Sequence, residues 1–208
     1  MRILIADQLA IARKGLRQIL LEEFPQVVVE EVIDLSDIIH KAPQGWDLFI
    51  SDIAMPGYYG LELIHRLRRK CPGTPLLILS IYPDDYYAKR VLKAGVSGYL
   101  NKRASHDELV TAIKSILQGK RYIPPQMADQ IVHDLLLESP QAPHETLSDR
   151  EFDIFKMLVE GKTITEIAAL LSLSGTMIGN YRNRIFAKMN IKSLAELILY
   201  ASLHNLTG

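Results

Sequence analysis

Cysteine is nearly absent. Cys71 is the single one in 208 residues, which excludes an internal disulfide and a cysteine-built zinc site and fits a reducing compartment. Neither sign of charge dominates: 24 basic and 24 acidic residues give a formal net charge of zero, so bulk electrostatics gives no hint of a nucleic-acid partner. No apolar run approaches the ~18 residues that cross a bilayer. The chain enters a strand-like run, Arg2-Ile3-Leu4-Ile5-Ala6, without the basic-then-apolar leader of a secreted protein. These absences lead us to expect a cytoplasmic protein with no membrane association. What is abundant is apolar material, 48% of residues, enough for one large domain or two small ones.

Over the first part of the chain, short apolar runs alternate with amphipathic helical patterns. The runs at 3–6, 48–51 and 76–80 are continuous, as in strands covered on both faces. The run at 27–33 is broken by Glu30 and Glu31, which marks an edge strand, and 98–100 is the fifth. Helical faces follow at 11–20, 61–68 and 87–94, and Ser105 with Glu108 opens a last helix that Gly119 stops. Strict alternation of five strands and five helices predicts an α/β fold, a doubly wound five-stranded parallel sheet.

Pro124-Pro125 precede a helical stretch at 127–137, and two further prolines make 138–145 a linker. Beyond it the sequence reads as purely helical. Capping boxes pair Ser148 with Glu151, Thr163 with Glu166, and Ser193 with Glu196, while Ser174 opens a fourth helix with Met177 in the glutamate position. We expect a first domain over 1–121, a linker with a helix over 122–145, and a small all-α four-helix domain over 146–208.

Ligands of open parallel sheets bind outside the carboxyl ends of the strands. Those ends carry Asp7 and Gln8, Asp52, Ser80, and, just past the fifth strand, Lys102. Asp52 is followed by Ile53-Ala54-Met55-Pro56-Gly57, a sharp turn. Two carboxylates beside a backbone carbonyl suit Mg²⁺. A lysine and a serine can hold phosphoryl oxygens, and a carboxylate can act as nucleophile. The blander alternatives are an Asp52 that only satisfies turn amides, a solvated Lys102 and a Tyr99 that merely packs.

In the second part, 161–189 reads as two helices separated by Ser172-Leu173-Ser174, a helix-turn-helix whose second helix enters a major groove. Ile178, Ile185 and Met189 share one face; Thr176, Gly179, Asn180, Asn183 and Ala187 point away. Residues 175–192 hold four basic residues (Arg182, Arg184, Lys188 and Lys192) and no acidic one. Positive charge is thus local, and so modest a patch predicts a dimer on paired half-sites. The alternative is a helical bundle that binds protein.

On these residues the chain resembles a two-component response regulator of the NarL/FixJ group, a CheY-like receiver followed by a LuxR-type helix-turn-helix. The resemblance is carried by the turn from Asp52 to Gly57 with Ser80, Tyr99 and Lys102. In the second part it is carried by Leu147-Ser148-Asp149-Arg150-Glu151, Glu166-Ile167-Ala168, Asn180-Tyr181-Arg182 and Lys188-Met189. It implies sheet order 2-1-3-4-5 and a transcription factor controlled by phosphorylation of Asp52 from a sensor histidine kinase. Mg²⁺ would be held by Asp7, Asp52 and the backbone carbonyl of Ala54. Ser80 and Tyr99 would be the switch residues and Lys102 the phosphate-binding lysine. The implied partner is promoter DNA, bound by a homodimer through Thr176, Gly179, Asn180, Arg182, Asn183, Arg184 and Lys188, with base contacts at Gly179, Asn180 and Asn183.

Two positions depart from the family's pattern. Gln8 replaces a second acid at the metal site, which predicts weakened or absent Mg²⁺. Gly179 replaces a longer polar side chain. Gln8 favours a rival function, a phosphorylation-independent transcription factor whose receiver serves dimerisation or partner docking. An aspartate-nucleophile phosphohydrolase is the other rival. It requires an acid at position 54, where Ala54 stands, so we expect no enzyme.

Overall fold

The computed structural model describes residues 1–55, 58–81, 85–125, 127–129, 142–204 and 206–207, without the side chains of 35, 58, 59 and 85–87. The chain divides into two compact units, Met1–Ile131 and Val132–Gly208.

The first unit is built on β1 (Arg2–Ala6), β2 (Val28–Val32), β3 (Leu48–Asp52), β6 (Leu76–Ser80) and β7 (Gly98–Asn101). They form one sheet in the order β2-β1-β3-β6-β7, every pairing parallel. This is the expected doubly wound arrangement. Between the strands run α1 (Ala10–Glu23), α2 (Leu35–Lys41), α3 (Leu61–Lys70), α4 (Asp85–Lys93) and α5 (His106–Leu117). Every residue of β3 and β6 is buried, which is why their sequences are apolar without alternation. Ile3, Ile5, Leu20, Leu48, Ile50, Leu77, Leu100 and Ile113 join in one core cluster. Each such side chain contributes roughly 1.5–3 kcal/mol by leaving water.

β2 lies at the edge, and the two glutamates that break its pattern explain themselves. Glu30 accepts from Lys41 at 2.8 Å, and Glu31 accepts from Arg13 at 3.2 Å. At the other edge Gly98 is required by close approach. A Cβ there would lie 2.8 Å from Ile116 Cδ1 and 3.1 Å from the Tyr122 carbonyl oxygen.

The small antiparallel hairpin of β4 (Ala54–Met55) and β5 (Tyr58–Tyr59) was not legible in the sequence. Two-residue strands are too short to show a period. At the start of α5, Ser105 accepts the Glu108 N–H at 3.2 Å, but the expected reciprocal bond is replaced by one between the Glu108 carboxylate and Tyr122.

The second unit starts with a 3₁₀ turn, Pro143–Thr146, followed by α6 (Asp149–Val159), α7 (Ile164–Leu171), α8 (Gly175–Met189) and α9 (Leu194–Leu203). Ser148 and Thr163 form complete capping boxes. Ser174 and Ser193 cap by accepting the N–H of Met177 and Glu196, and the Glu196 carboxylate reaches back to the Lys192 N–H at 2.9 Å rather than to Ser193. Phe152, Phe155, Ile167, Ile178, Ile185 and Leu197 are fully buried. Lys156 is 1% exposed, its ammonium donating to the Leu206 carbonyl at 2.7 Å; its stem serves the core while its head ties down the end of the chain.

The end of the stretch expected as linker is packed. His144 is buried, with Nδ1 2.6 Å from the Tyr200 hydroxyl. The helix expected at 127–137 falls mostly outside the described residues; its first turn is present, with Met127 and Ala128 N–H groups on the Pro124 carbonyl. Among the described residues no helix is long and apolar enough to cross a membrane.

Candidate functional site

Sheet register gathers the polar strand ends. Ala6 pairs with Ser51, Asp52 with Leu79, and Ser80 with Asn101. The residues that follow or occupy these positions, Asp7, Asp52, Ser80 and Lys102, therefore share one rim. Asp7 and Asp52 are 1% and 5% exposed. Lys102 Nζ donates to Asp7 Oδ2 at 2.6 Å and to Asp52 Oδ2 at 2.8 Å.

Backbone bonds fix the three groups. The Leu9 N–H donates to Asp7 Oδ1 at 2.8 Å, and the Ala54 N–H donates to Asp52 Oδ1 at 3.2 Å. The Lys102 N–H donates to the Ser80 carbonyl at 2.7 Å, which ties the loop after β7 to the end of β6. Arg13 Nη1 donates to the Asp7 carbonyl at 2.7 Å, a support that sequence periodicity did not reveal.

Burial raises the Asp52 pKa above the ordinary aspartate value; Lys102 opposes this, and the nearby Asp7 charge adds to it. Two carboxylates share one ammonium, so the cluster keeps one net negative charge. Ser80 and Tyr99 are buried, at 0% and 2% exposed; the half-buried tyrosine expected on the fifth strand is fully enclosed. Gln8 is exposed, and Ala54 is half-buried.

The donor set was tested against Mg²⁺. Such an ion accepts one or two carboxylates and keeps several waters, and the Asp7 and Asp52 carboxylates meet that need. Among the described residues no group of three or more His, Cys, Asp or Glu could hold a metal. The two acids are therefore not supplemented by a third.

In the second unit α8 buries Ile178, Ile185 and Met189 against α6 and α7. The turn before it depends on Ser172, left-handed at φ 52, and on the Leu173 N–H bonding the Ala168 carbonyl at 2.9 Å. Thr176, Asn180, Asn183, Arg184 and Lys188 are exposed; Gly179 and Arg182 are half-buried. Arg182 Nη2 donates to Asn183 Oδ1 at 3.3 Å, and its guanidinium lies 5.8 Å from the Phe186 ring centre.

Lys188 is engaged within the unit. Its ammonium donates to Glu151 Oε2 at 2.6 Å. Burial pushes the Glu151 pKa up, but bonds from Lys188 and Ser148 outweigh it and hold the carboxyl below its usual value. Sequence reading identified Glu151 as a capping residue and missed this second bond. No sequence periodicity links positions 37 residues apart.

The response regulator receiver domain family matches residues 3–114, and the family of bacterial regulatory proteins of the luxR type matches residues 145–201. The chain belongs to the response regulators. It joins a receiver domain to a DNA-binding domain of the LuxR type. Response regulator UvrY of Escherichia coli K12 is 32% identical over 206 residues, covering 98% of this chain and 94% of that protein. Response regulator GacA of Pseudomonas protegens is 34% identical over 206 residues, covering 99% and 97%. Among solved structures, RcsB from Salmonella enterica serovar Typhimurium, bound to promoter P1flhDC with the phosphomimetic BeF3⁻, superposes with a TM-score of 0.61. It has 25% identity and covers 100% of this chain and 99% of that one.

Proposed function

We propose that this response regulator is a cytoplasmic transcription factor switched by phosphorylation of Asp52, with a receiver over 1–121 and a DNA-binding domain over 146–208. The observation that carries this reading is the Asp7–Lys102–Asp52 cluster. A carboxylate nucleophile is held there in line with solvent by backbone and ammonium contacts.

The donor is the phosphohistidine of a sensor kinase. An Asp52 oxygen attacks phosphorus, the P–N bond breaks, and the imidazole leaves with a proton. Phosphorylation adds roughly two negative charges and strong acceptor oxygens. Lys102 then has a better partner than Asp7, and the Ser80 hydroxyl can donate to a phosphoryl oxygen. Tyr99, on the strand between them, is the side chain that repacks when Ser80 moves. When bound, Mg²⁺ held by Asp7, Asp52 and the Ala54 carbonyl would neutralise phosphoryl oxygens. Gln8 offers a neutral amide where a third charge would strengthen it, so metal affinity is reduced.

Output is through α8. Exposed Asn180 and Asn183 suit paired hydrogen bonds to adenine, and Thr176 and Gly179 let the helix approach the bases. Arg182, Arg184 and Lys188 meet phosphates. Two copies on paired half-sites supply the affinity that one modest patch lacks. The solved relative bound to a promoter beside a phosphomimetic supports the coupling.

A second reading rests on exposed Gln8: a receiver that docks partners without phosphorylation. Turnover of phosphate esters has less support, because the Ala54 side chain carries no proton for acid–base work. Acetyl phosphate labelling with intact-mass readout separates these. One phosphoryl group on the wild type and none on Asp52→Ala is expected. An unlabelled wild type would favour the docking reading, and label retained in Asp52→Ala would remove Asp52 from the chemistry.

A further inference from the structure

Between α1 and α5 the first unit opens a cleft of about 240 Å³. Its wall is mostly apolar: Leu16 and Ile19 from α1, Leu109 from α5, and Leu100 from β7. Asp7 and Lys102 also line it. They follow the carboxyl ends of β1 and β7, whereas Ile19 lies nine residues into α1, roughly 13 Å along its axis. The cleft therefore runs from a charged end at the sheet rim to an apolar end. Drug-sized ligands occupy ~300–1,000 Å³, so this space suits a smaller molecule.

Small residues keep it open. Gly15 sits inside α1, where glycine weakens a helix relative to alanine. Neither conformation nor crowding demands it, since a Cβ there would meet nothing within 4 Å. Ala12 and Ala104 are the other small residues on the wall.

The electrostatics select the ligand's charge. At the closed end the Asp7 carboxylate, with Asp52 beyond it, faces a single ammonium, Lys102. At the mouth His106 lies beside two more acids, 3.8 Å from Glu23 and 3.3 Å from Asp107.

We propose that this cleft binds a small amphipathic cation, a primary amine on an apolar body. The body lies against Leu16, Ile19 and Leu109, and the ammonium donates to Asp7. An anion is repelled by the two rim carboxylates, and a neutral isostere gains only the apolar contact. An ammonium on Asp7 competes with Lys102 for the same oxygen, so occupancy of the cleft alters the phosphoacceptor cluster. That consequence rests on the phosphorylation reading, whereas the binding does not.

The test measures binding to the full chain by calorimetry and by methyl NMR at Ile19 and Leu109. The probes are 2-phenylethylamine, 2-phenylethanol and 3-phenylpropionate. The amine is expected to bind roughly tenfold tighter than the alcohol, on the scale of one partly desolvated charge pair, and the propionate more weakly than either. Asp7→Asn should bring the amine to the affinity of the alcohol. Gly15→Leu, and independently Ala104→Leu from the opposite wall, should abolish binding of all three while circular dichroism shows the fold retained. An amine that binds no tighter than the alcohol, or that binds both filled variants like the wild type, would overturn the proposal. Acetyl phosphate labelling reads a different property, so its failure would leave this binding result standing.

Discussion

Lys102 Nζ stands 2.6 Å from Asp7 Oδ2, slightly closer than its 2.8 Å approach to Asp52 Oδ2. Before modification, the lysine is thus held by the acceptor's neighbour at least as closely as by the acceptor. Its side chain is 14% exposed and the two carboxylates are 1% and 6% exposed. The three form one buried electrostatic unit rather than two surface ion pairs.

Removing the cation from this unit should be costly. Lys102→Ala leaves two buried carboxylates facing each other, and breaking a buried pair from one side costs about 3–5 kcal/mol. Combining it with Asp52→Asn should recover a large part of that loss, because only Asp7 then stays charged. Urea unfolding of the wild type, both single variants and the double variant measures the coupling. Additive losses would show that the three groups do not act as a unit.

Asp52 itself should be a stability liability at neutral pH. Burial raises its folded-state pKa, so between the ordinary aspartate value and the raised one the folded state binds more protons than the unfolded chain. Stability contributed by this group is therefore lost as pH rises through that window and regained as pH falls. Asp52→Asn should melt at or above the wild type at pH 7, and the difference should shrink as the solution is acidified. A neutral-pH melting temperature well below wild type would contradict this.

Gln8 should limit the metal. Gln8→Asp adds a third carboxylate near the rim and should tighten Mg²⁺ binding on the order of tenfold or more, since ligand charge sets affinity for hard cations. The readout is the rise in melting temperature with added Mg²⁺, which follows from binding to the folded state alone. Identical Mg²⁺ responses in both proteins would remove Gln8 as the cause of weak binding.

The basic residues of α8 should not be equivalent. Arg184 is exposed, whereas Lys188 is already paired with Glu151. Arg184→Ala should lower the salt dependence of DNA binding by about one phosphate contact. Lys188→Ala should lower it less and should also destabilise the fold by leaving Glu151 short of a partner. Asn180→Ala and Asn183→Ala should change sequence preference, with a cost of about 1–3 kcal/mol at the base read. Unchanged preference in both would displace α8 as the reading helix.

The sheet was legible because its central strands carry unbroken apolar runs, and β2 because Glu30 and Glu31 interrupt one. The rim was legible because strand ends in a parallel sheet must meet. Helix starts were legible from Ser148 and Thr163, whose capping boxes close as expected. What escaped lies in pairings without a local signal. These include the Glu151–Lys188 bond, the Arg13 bond to the Asp7 carbonyl, the two-residue hairpin at Ala54–Met55, and the packing of His144 on Tyr200. Each joins chain segments whose sequences show no periodicity relating them.

The most direct test of the account is the affinity of the full chain for promoter DNA captured from its own genome. It is measured with and without acetyl phosphate and Mg²⁺, in the wild type and in Asp52→Ala. The account predicts tighter binding by the wild type on phosphorylation and no response from Asp52→Ala. Equal affinity in all four conditions would contradict it.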